Sequence, residues 1–362
     1  MRTLIGGLLG VALIGLPASP ADTRDENALD RKGQFKAIQE DFGRAQAEGY
    51  MALRAAKTPE EQKAASEKMP KTPGYVARVL TLVEASPKDD LSLQMLSWLT
   101  LADHGKDARV IDLLIRNHSK SPKIASLCEA YSFAALGANK PLLEKVLSDN
   151  PDRRAQGLAC FALGVMASDA IDASKTAAEA ERLFERCAVE FADVKQGTGR
   201  LGESAKGYLF EIRNLAVGKS APDVETEDID GKKVKLSDHK GKVVVLDLWV
   251  EWSGPCCGPS RAMIPHEREM VNKLAGKPFA LISVCGDGRD VLKEFLKQES
   301  IPWTIWSPGL DGAGAIRKQW HVRFFPAVYV IDAKGVIRYK YISGKELEAA
   351  VEKLVAESTG KK

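Results

Sequence analysis

The chain has 362 residues, 44% hydrophobic and 28% charged, with a formal net charge of +3. Length and apolar content suit two folded domains and exclude a largely disordered chain. The net charge is too small for a nucleic-acid binder, and no basic run carries interleaved aromatics, so nucleic acid is not expected as a partner.

At the start, Arg2 precedes an almost wholly apolar stretch from Leu4 to Leu16, and Pro17-Ala18-Ser19-Pro20-Ala21 follows. This is the layout of a secretory signal peptide, predicted over residues 1–21. The apolar run is shorter than the ~20 residues a membrane span needs, so no stable span is expected after processing. No Cys stands near the cleavage site, which disfavours a lipoprotein. An exported, periplasmic or otherwise extracytoplasmic protein works where cysteines become disulfides or redox centres.

Residues 22–216 read as an all-helical domain. Val110-Ile111-Asp112-Leu113-Leu114-Ile115 and Leu142-Leu143-Glu144-Lys145-Val146-Leu147 carry apolar pairs at helical spacing. Ser86-Pro87, Ser121-Pro122 and Asn150-Pro151 each read as an N-cap followed by a proline in the first turn. Their recurrence predicts stacked helical hairpins, solenoid-like, suited to packing or to holding a partner. Cys128, Cys160 and Cys187 have no Cys or His at metal-ligand spacing and read as core residues.

The pattern changes at Val217. Asp230-Gly231 separates two short alternating runs, Val224–Ile229 and Lys232–Leu236, which predicts a β-hairpin. Lys242 to Trp249 is apolar enough for a strand buried on both faces, interrupted by Asp247. A helix is predicted from about Pro259 to Leu274, a strand over Phe279–Cys285 and a helix over Val291–Gln298. Ala327–Asp332 and Val336–Tyr341 flank the turn Ala333-Lys334-Gly335, and a helix over Lys345–Ala356 closes the domain. The predicted order is β-α-β-α-β-β-α.

Several patterns fail. His266-Glu267-Arg268-Glu269-Met270 begins like a zinc-protease motif but ends in Met270 where His is required. Gly309-Leu310-Asp311-Gly312-Ala313-Gly314 does not follow a strand with dinucleotide-binding spacing. No cofactor or metal site is predicted.

Asp247-Leu248-Trp249-Val250-Glu251-Trp252-Ser253-Gly254-Pro255-Cys256 resembles the thioredoxin active-site segment, with Ser253 where that family has its first Cys. Val217–Asp223 and the following hairpin are similar to the lead-in of exported TlpA/ResA-type thiol–disulfide oxidoreductases. Val322-Arg323-Phe324-Phe325-Pro326 resembles the segment ending in that family's cis-proline. The resemblance runs from about Val217 to Val355. It implies an α/β thioredoxin fold over residues 217–362, exchange with protein thiols or disulfides, an external reductant and a cis bond before Pro326. It also implies that Asp247 relays protons to the resolving Cys; the other reading is a buried polar residue paired with a neighbour, and both stay open.

The motif itself departs from the family. Between Trp252 and Arg261 the family places four residues; this chain has eight, Ser253-Gly254-Pro255-Cys256-Cys257-Gly258-Pro259-Ser260. Anchored on the strand, Ser253 holds the nucleophile slot and Cys256 the resolving slot. Anchored on the helix, Cys257 is the nucleophile and Ser260 replaces the resolving Cys. Proline suits a first helical turn and breaks an interior, which favours the second register. A thiol at a helix N-terminus meets unpaired N–H groups, which lower its pKa from ~8.5 into the range ~3.5–7.5. Adjacent Cα atoms lie about 3.8 Å apart, short of the ~4.4–6.8 Å of ordinary disulfides, so a Cys256–Cys257 bond would be strained. Cys285 reads as a buried strand residue, with a distant resolving thiol as the other reading. Trp249 packs the core and Trp252 shields the site. The expected function is thiol–disulfide exchange through one nucleophilic cysteine. The rivals are a thioredoxin-fold binding protein without redox chemistry and a peroxide-reducing redoxin; no Thr stands just ahead of Cys256 or Cys257 to serve the latter.

Overall fold

The computed structural model describes residues 30–133, 138–169, 173–249, 257–285, 288–307, 309–323 and 325–360. The predicted signal peptide lies outside them. Residues 30–206 form one compact unit and residues 207–360 another.

In the first unit the helices are α1 (Arg31–Ala55), α2 (Pro59–Ser66), α3 (Thr72–Glu84), α4 (Asp90–Ala102), α5 (Ala108–His118), α6 (Ala125–Phe133), α7 (Lys140–Asp149), α8 (Arg153–Ser168) and α9 (Ala173–Glu190). A two-stranded hairpin, β1 (Lys195–Gln196) and β2 (Gly199–Arg200), departs from the all-helical expectation; α10 (Leu201–Asn214) follows. α8 is buried along most of its length, between α6, α7 and α9. Gly164 allows the closest approach, because a Cβ there would stand 2.8 Å from the Phe184 ring on α9. Cys128, Cys160 and Cys187 are buried thiols in this core.

Two of the three proline signals lie a few residues ahead of the true helix starts. Asp89 caps α4, accepting from the Ser92 N–H at 2.8 Å, and Asp152 caps α8, accepting from the Ala155 N–H at 2.7 Å. A carboxylate at this position meets orphan N–H groups and the positive helix end, which outcompetes the upstream Ser or Asn. Asn150 is used otherwise: its Nδ2 donates to the carbonyls of Ser119 (2.7 Å) and Ser121 (2.9 Å). Ser121 does act as a cap, on a 3-10 turn over Pro122–Ile124 that runs into α6.

In the second unit the hairpin β3 (Glu225–Glu227) and β4 (Lys233–Lys235) precedes β5 (Val243–Trp249), α11 (Cys257–Lys273), β6 (Phe279–Cys285), α12 (Arg289–Gln298), β7 (Thr304–Trp306), α13 (Gly309–Gln319), β8 (Ala327–Ile331), β9 (Ile337–Lys340) and α14 (Gly344–Ser358). The five-stranded sheet has the order β7-β6-β5-β8-β9, with β6 and β7 parallel to β5 and β8 antiparallel to it. This is a thioredoxin-like fold. It contains two elements beyond the predicted order, β7 and α13. β7 has three residues, too few to show a period, and α13 carries three glycines, which weaken a local helix signal. The Gly309–Gly314 segment is thus the start of a helix.

β5 is the centre. Every residue in it is buried. Val244, Leu246 and Leu248 pack with Trp306, Trp320 of the α13 end, and Leu215. Val243 and Val245 face Met270 of α11, Leu274 just past its end, and Leu347, Val351 and Leu354 of α14. Trp249 packs with Ile264, Leu292 and Phe295. Each such side chain contributes about 1.5–3 kcal/mol by leaving water.

The end of α10 is tied to the sheet by a buried carboxylate. Oε1 of Glu211 accepts from Lys340 Nζ at 2.8 Å and from the Tyr341 hydroxyl at 3.2 Å; Oε2 lies 3.0 Å from His321 Nδ1 and 3.9 Å from Arg323 Nε. His321 adopts a left-handed backbone (φ 45) just past α13, which turns its ring toward Glu211. Burial alone would raise the Glu211 pKa, but the His321 contact, Lys340 and Arg323 outweigh it and bring it from 4.5 to about 2. That difference corresponds to on the order of 3 kcal/mol, present above pH 4.5 and lost as pH falls toward 2. E211Q should therefore destabilise this unit by about 2–4 kcal/mol at pH 7, because it strands buried cations, and by less at pH 3. Urea unfolding followed by tryptophan fluorescence reads this unit, since all tryptophans but Trp98 lie in it. An unchanged midpoint at pH 7 would show that Glu211 is not the tie.

Candidate active site

Three chain segments converge at the end of β5. The parallel register opposes Trp249 to Cys285, the last residue of β6. The antiparallel register opposes Leu248 to Ala327. Pro326 immediately precedes Ala327, and the Phe325–Pro326 peptide bond is cis. The loop carrying it is anchored on both sides. Arg323 Nη1 donates to the Tyr208 hydroxyl at 3.0 Å and its guanidinium lies 4.8 Å from the Tyr208 ring centroid. The Arg317 guanidinium lies 5.6 Å from the Phe325 ring, and Arg317 Nε donates to the Val322 carbonyl at 3.1 Å.

α11 begins at Cys257. Gly258 and Pro259 fall in its first turn, where a missing N–H costs no intrahelical bond. Pro265 lies inside the helix. Cys257 and Ser260 are its first and fourth residues, described here by backbone alone. Trp252, Ser253 and Cys256 lie outside the described residues, as does any Cys256–Cys257 bond. Cys285 is buried. Among the described residues no group of three or more His, Cys, Asp or Glu is placed to hold a metal ion.

Asp247 is buried, 4% exposed, on the face of β5 shared with Val243, Val245 and Trp249. Its Oδ1 has no hydrogen-bond partner among the described residues. Burial raises its pKa from 3.8 to about 7. A second acid lies beneath α11. Glu267 is 2% exposed and its Oε1 also has no partner among the described residues. Burial, and then the neighbouring Asp247 charge, push its pKa well above the carboxylate range. Glu267 lines a small cleft between α11 and α14 with His266, Met270, Leu347 and Glu348; the cleft has room of ≈ 10 Å³, about one water. Sequence reasoning met Glu267 only inside the failed His266–Met270 motif. The signal that could have found it is periodicity: Ile264, Glu267, Met270 and Leu274 share one core-facing stripe, and a charged residue in such a stripe is an anomaly.

The AhpC/TSA family pattern matches residues 217–340. Residues 217–340 are a redoxin domain. The region is 29% identical over 155 residues to the thiol-disulfide oxidoreductase ResA of Bacillus thuringiensis subsp. konkukian, covering 42% of this chain and 85% of that protein. It is 28% identical over 171 residues to the thiol:disulfide interchange protein DsbE of Vibrio cholerae, covering 44% of this chain and 88% of that protein. Among solved structures, the thioredoxin domain of a thiol-disulfide oxidoreductase from Bacteroides vulgatus is similar at 27% identity and a TM-score of 0.37, covering 39% of this chain and 99% of that one. The ResA and DsbE matches make the redoxin domain a homologue of thiol–disulfide oxidoreductases of that type.

Asp247 gives the redoxin domain a pH-dependent stability. Its proton is lost near pH 3.8 in the unfolded chain and near pH 7 in the folded one, so folding favours the protonated form. Stability falls as pH rises from about 4 to about 7, by on the order of 4 kcal/mol. D247N should flatten that slope, raising the unfolding midpoint at pH 8 relative to the parent and changing it little at pH 4. A parent protein whose stability does not decline over this range would contradict the assignment.

Proposed function

We propose that this protein is an exported thiol–disulfide oxidoreductase that acts through Cys257 by way of mixed disulfides. The observation that carries the reading is the start of α11 at Cys257, which gives that residue a helix N-terminus. There the unpaired N–H groups and the dipole stabilise a thiolate. The Cys257 thiolate attacks a disulfide of a substrate protein. One S–S bond forms, the substrate S–S bond breaks, and the departing sulfur leaves as a thiolate that takes a proton. No external electron acceptor is needed at this step. Ser260 has no sulfur with which to resolve the mixed disulfide, so an external thiol completes the cycle; Cys256 and Cys285 are the alternatives within the chain. The cis Pro326 loop borders the site as a docking edge for the substrate segment, Trp252 screens it from solvent, and Asp247 modulates its proton balance. Ser253 is the residue left in the strand-anchored slot. The apolar Leu4–Leu16 run supports export. The helical unit, read as stacked hairpins, serves to hold a protein partner.

Alkylation of Cys257 as a function of pH should give a thiol pKa below ~8.5, in the range ~3.5–7.5. C257S should abolish mixed-disulfide formation with a disulfide-bearing protein, whereas C256S should retain it. S260C, which supplies a resolving sulfur, should increase insulin reduction at least about tenfold, the expectation for intramolecular over external resolution. Unchanged trapping in C257S would refute the nucleophile. An unreactive parent thiol would leave the redoxin domain as a binding scaffold.

A further inference from the structure

The mechanism above uses one nucleophile and leaves a buried acid, Glu267, without a role. Asp247 and Glu267 approach each other from different elements, β5 and α11, in the layer covered by α14. Both are nine-tenths buried or more, and each has an oxygen with no partner among the described residues. Among the described residues the surroundings offer no counter-charge. On the strands beside Asp247 the register partners are Ser283 of β6 and Val328 of β8, and Ser283 Oγ is taken up by Trp303 Nε1 at 2.8 Å. Cys285 is the remaining titratable group on that face of β6. From α14 the layer receives Leu347 and Val351. At the cleft, Glu267 is accompanied by His266 and Glu348, and Glu348 is held by Lys273 at 2.8 Å. Among the described residues no cation influences the proton affinity of either buried carboxyl.

Two carboxyls that interact in an apolar layer without a cation cannot both ionise near neutral pH. Of the two, Glu267 lines the cleft between α11 and α14, which has room for a water. We propose that Asp247 and Glu267 hold one proton in common and that Glu267 is the point at which the pair exchanges it with solvent, through the cleft between α11 and α14. Glu267 is thus a positioning residue that acts through Asp247. The consequence for Cys257 rests on the function proposed above; the titration of the pair does not. While the pair carries one charge rather than two, it opposes the Cys257 thiolate less, so its second ionisation raises the thiol pKa.

Infrared difference spectra of the full chain, with Asp and Glu carboxyls isotopically distinguished, test this. The parent protein should retain a protonated-carboxyl band above about pH 6, lost in two steps. In D247N the proton affinity of Glu267 should fall at least tenfold. In E267Q the step near pH 7 should remain, the higher step should vanish, and deuterium should enter Asp247 at least tenfold more slowly on transfer to heavy water. The alkylation profile of Cys257 should lose its upper inflection in E267Q. Absence of the band in the parent protein above about pH 6 overturns the proposal, and that measurement needs no variant. An unmoved Glu267 titration in D247N, or unslowed exchange in E267Q, overturns it too. If the pair titrates as described and Cys257 is unreactive, the proton-sharing stands and the proposed function falls.

Discussion

Burial of β5 on both faces is the constraint from which the rest follows. Its neighbours β6 and β8 take its backbone hydrogen bonds, and helices cover both sides, so no side chain along Val243–Trp249 reaches water. Valine and leucine gain from that environment. A carboxyl does not: an ionised, unpaired carboxylate costs so much in an apolar layer that the group keeps its proton instead. The same strand delivers the chain to its Trp249 end, where β6 and the cis Pro326 loop also arrive. One packed strand thus sets both the electrostatics beneath the site and the place where the motif begins.

The domain contains buried carboxyls with opposite fates. Glu211 and Asp247 are both withdrawn from water, so burial raises the pKa of each. Around Glu211 stand Lys340, Arg323 and His321, and their combined attraction brings it down to about 2. Asp247 has no such cations among the described residues, and burial takes it to about 7. Burial raises both, and only where cations gather is it overcome. The first carboxyl is a charge used to hold α10 and the loop before Pro326 in place. The second is a proton store in the layer under α11.

α11 carries two electrostatic demands. Its first turn favours an anion, which suits a thiol at Cys257. Its core-facing stripe carries Glu267, which burial, and then the nearby Asp247 charge, keeps protonated. A doubly ionised pair would set negative charge behind a helix whose first turn, in the proposed function, stabilises a thiolate. Keeping one proton on the pair relieves that conflict near neutral pH.

Local pattern alone determined much of this protein. The apolar runs at Lys242–Trp249, Phe279–Cys285 and Ala327–Asp332 read as strands, the Asp230-Gly231 turn as a hairpin, and the doubled Ser253–Ser260 segment as an altered thioredoxin-like motif. Each is a feature of consecutive residues, where period and turn chemistry are visible without knowing the fold. Tertiary structure decided the rest. β7 is a strand because β6 offers it hydrogen bonds, and α13 is a helix despite its glycines because Ile316 and Trp320 gain a core. Asp89 and Asp152, rather than the prolines before them, start α4 and α8. Glu211 meets Lys340 across 129 positions of sequence, and Glu267 meets Asp247 through a face that forms only when α11 lies on the sheet. A side chain's charge state depends on what packs against it, and packing joins residues whose separation along the chain carries no local signal.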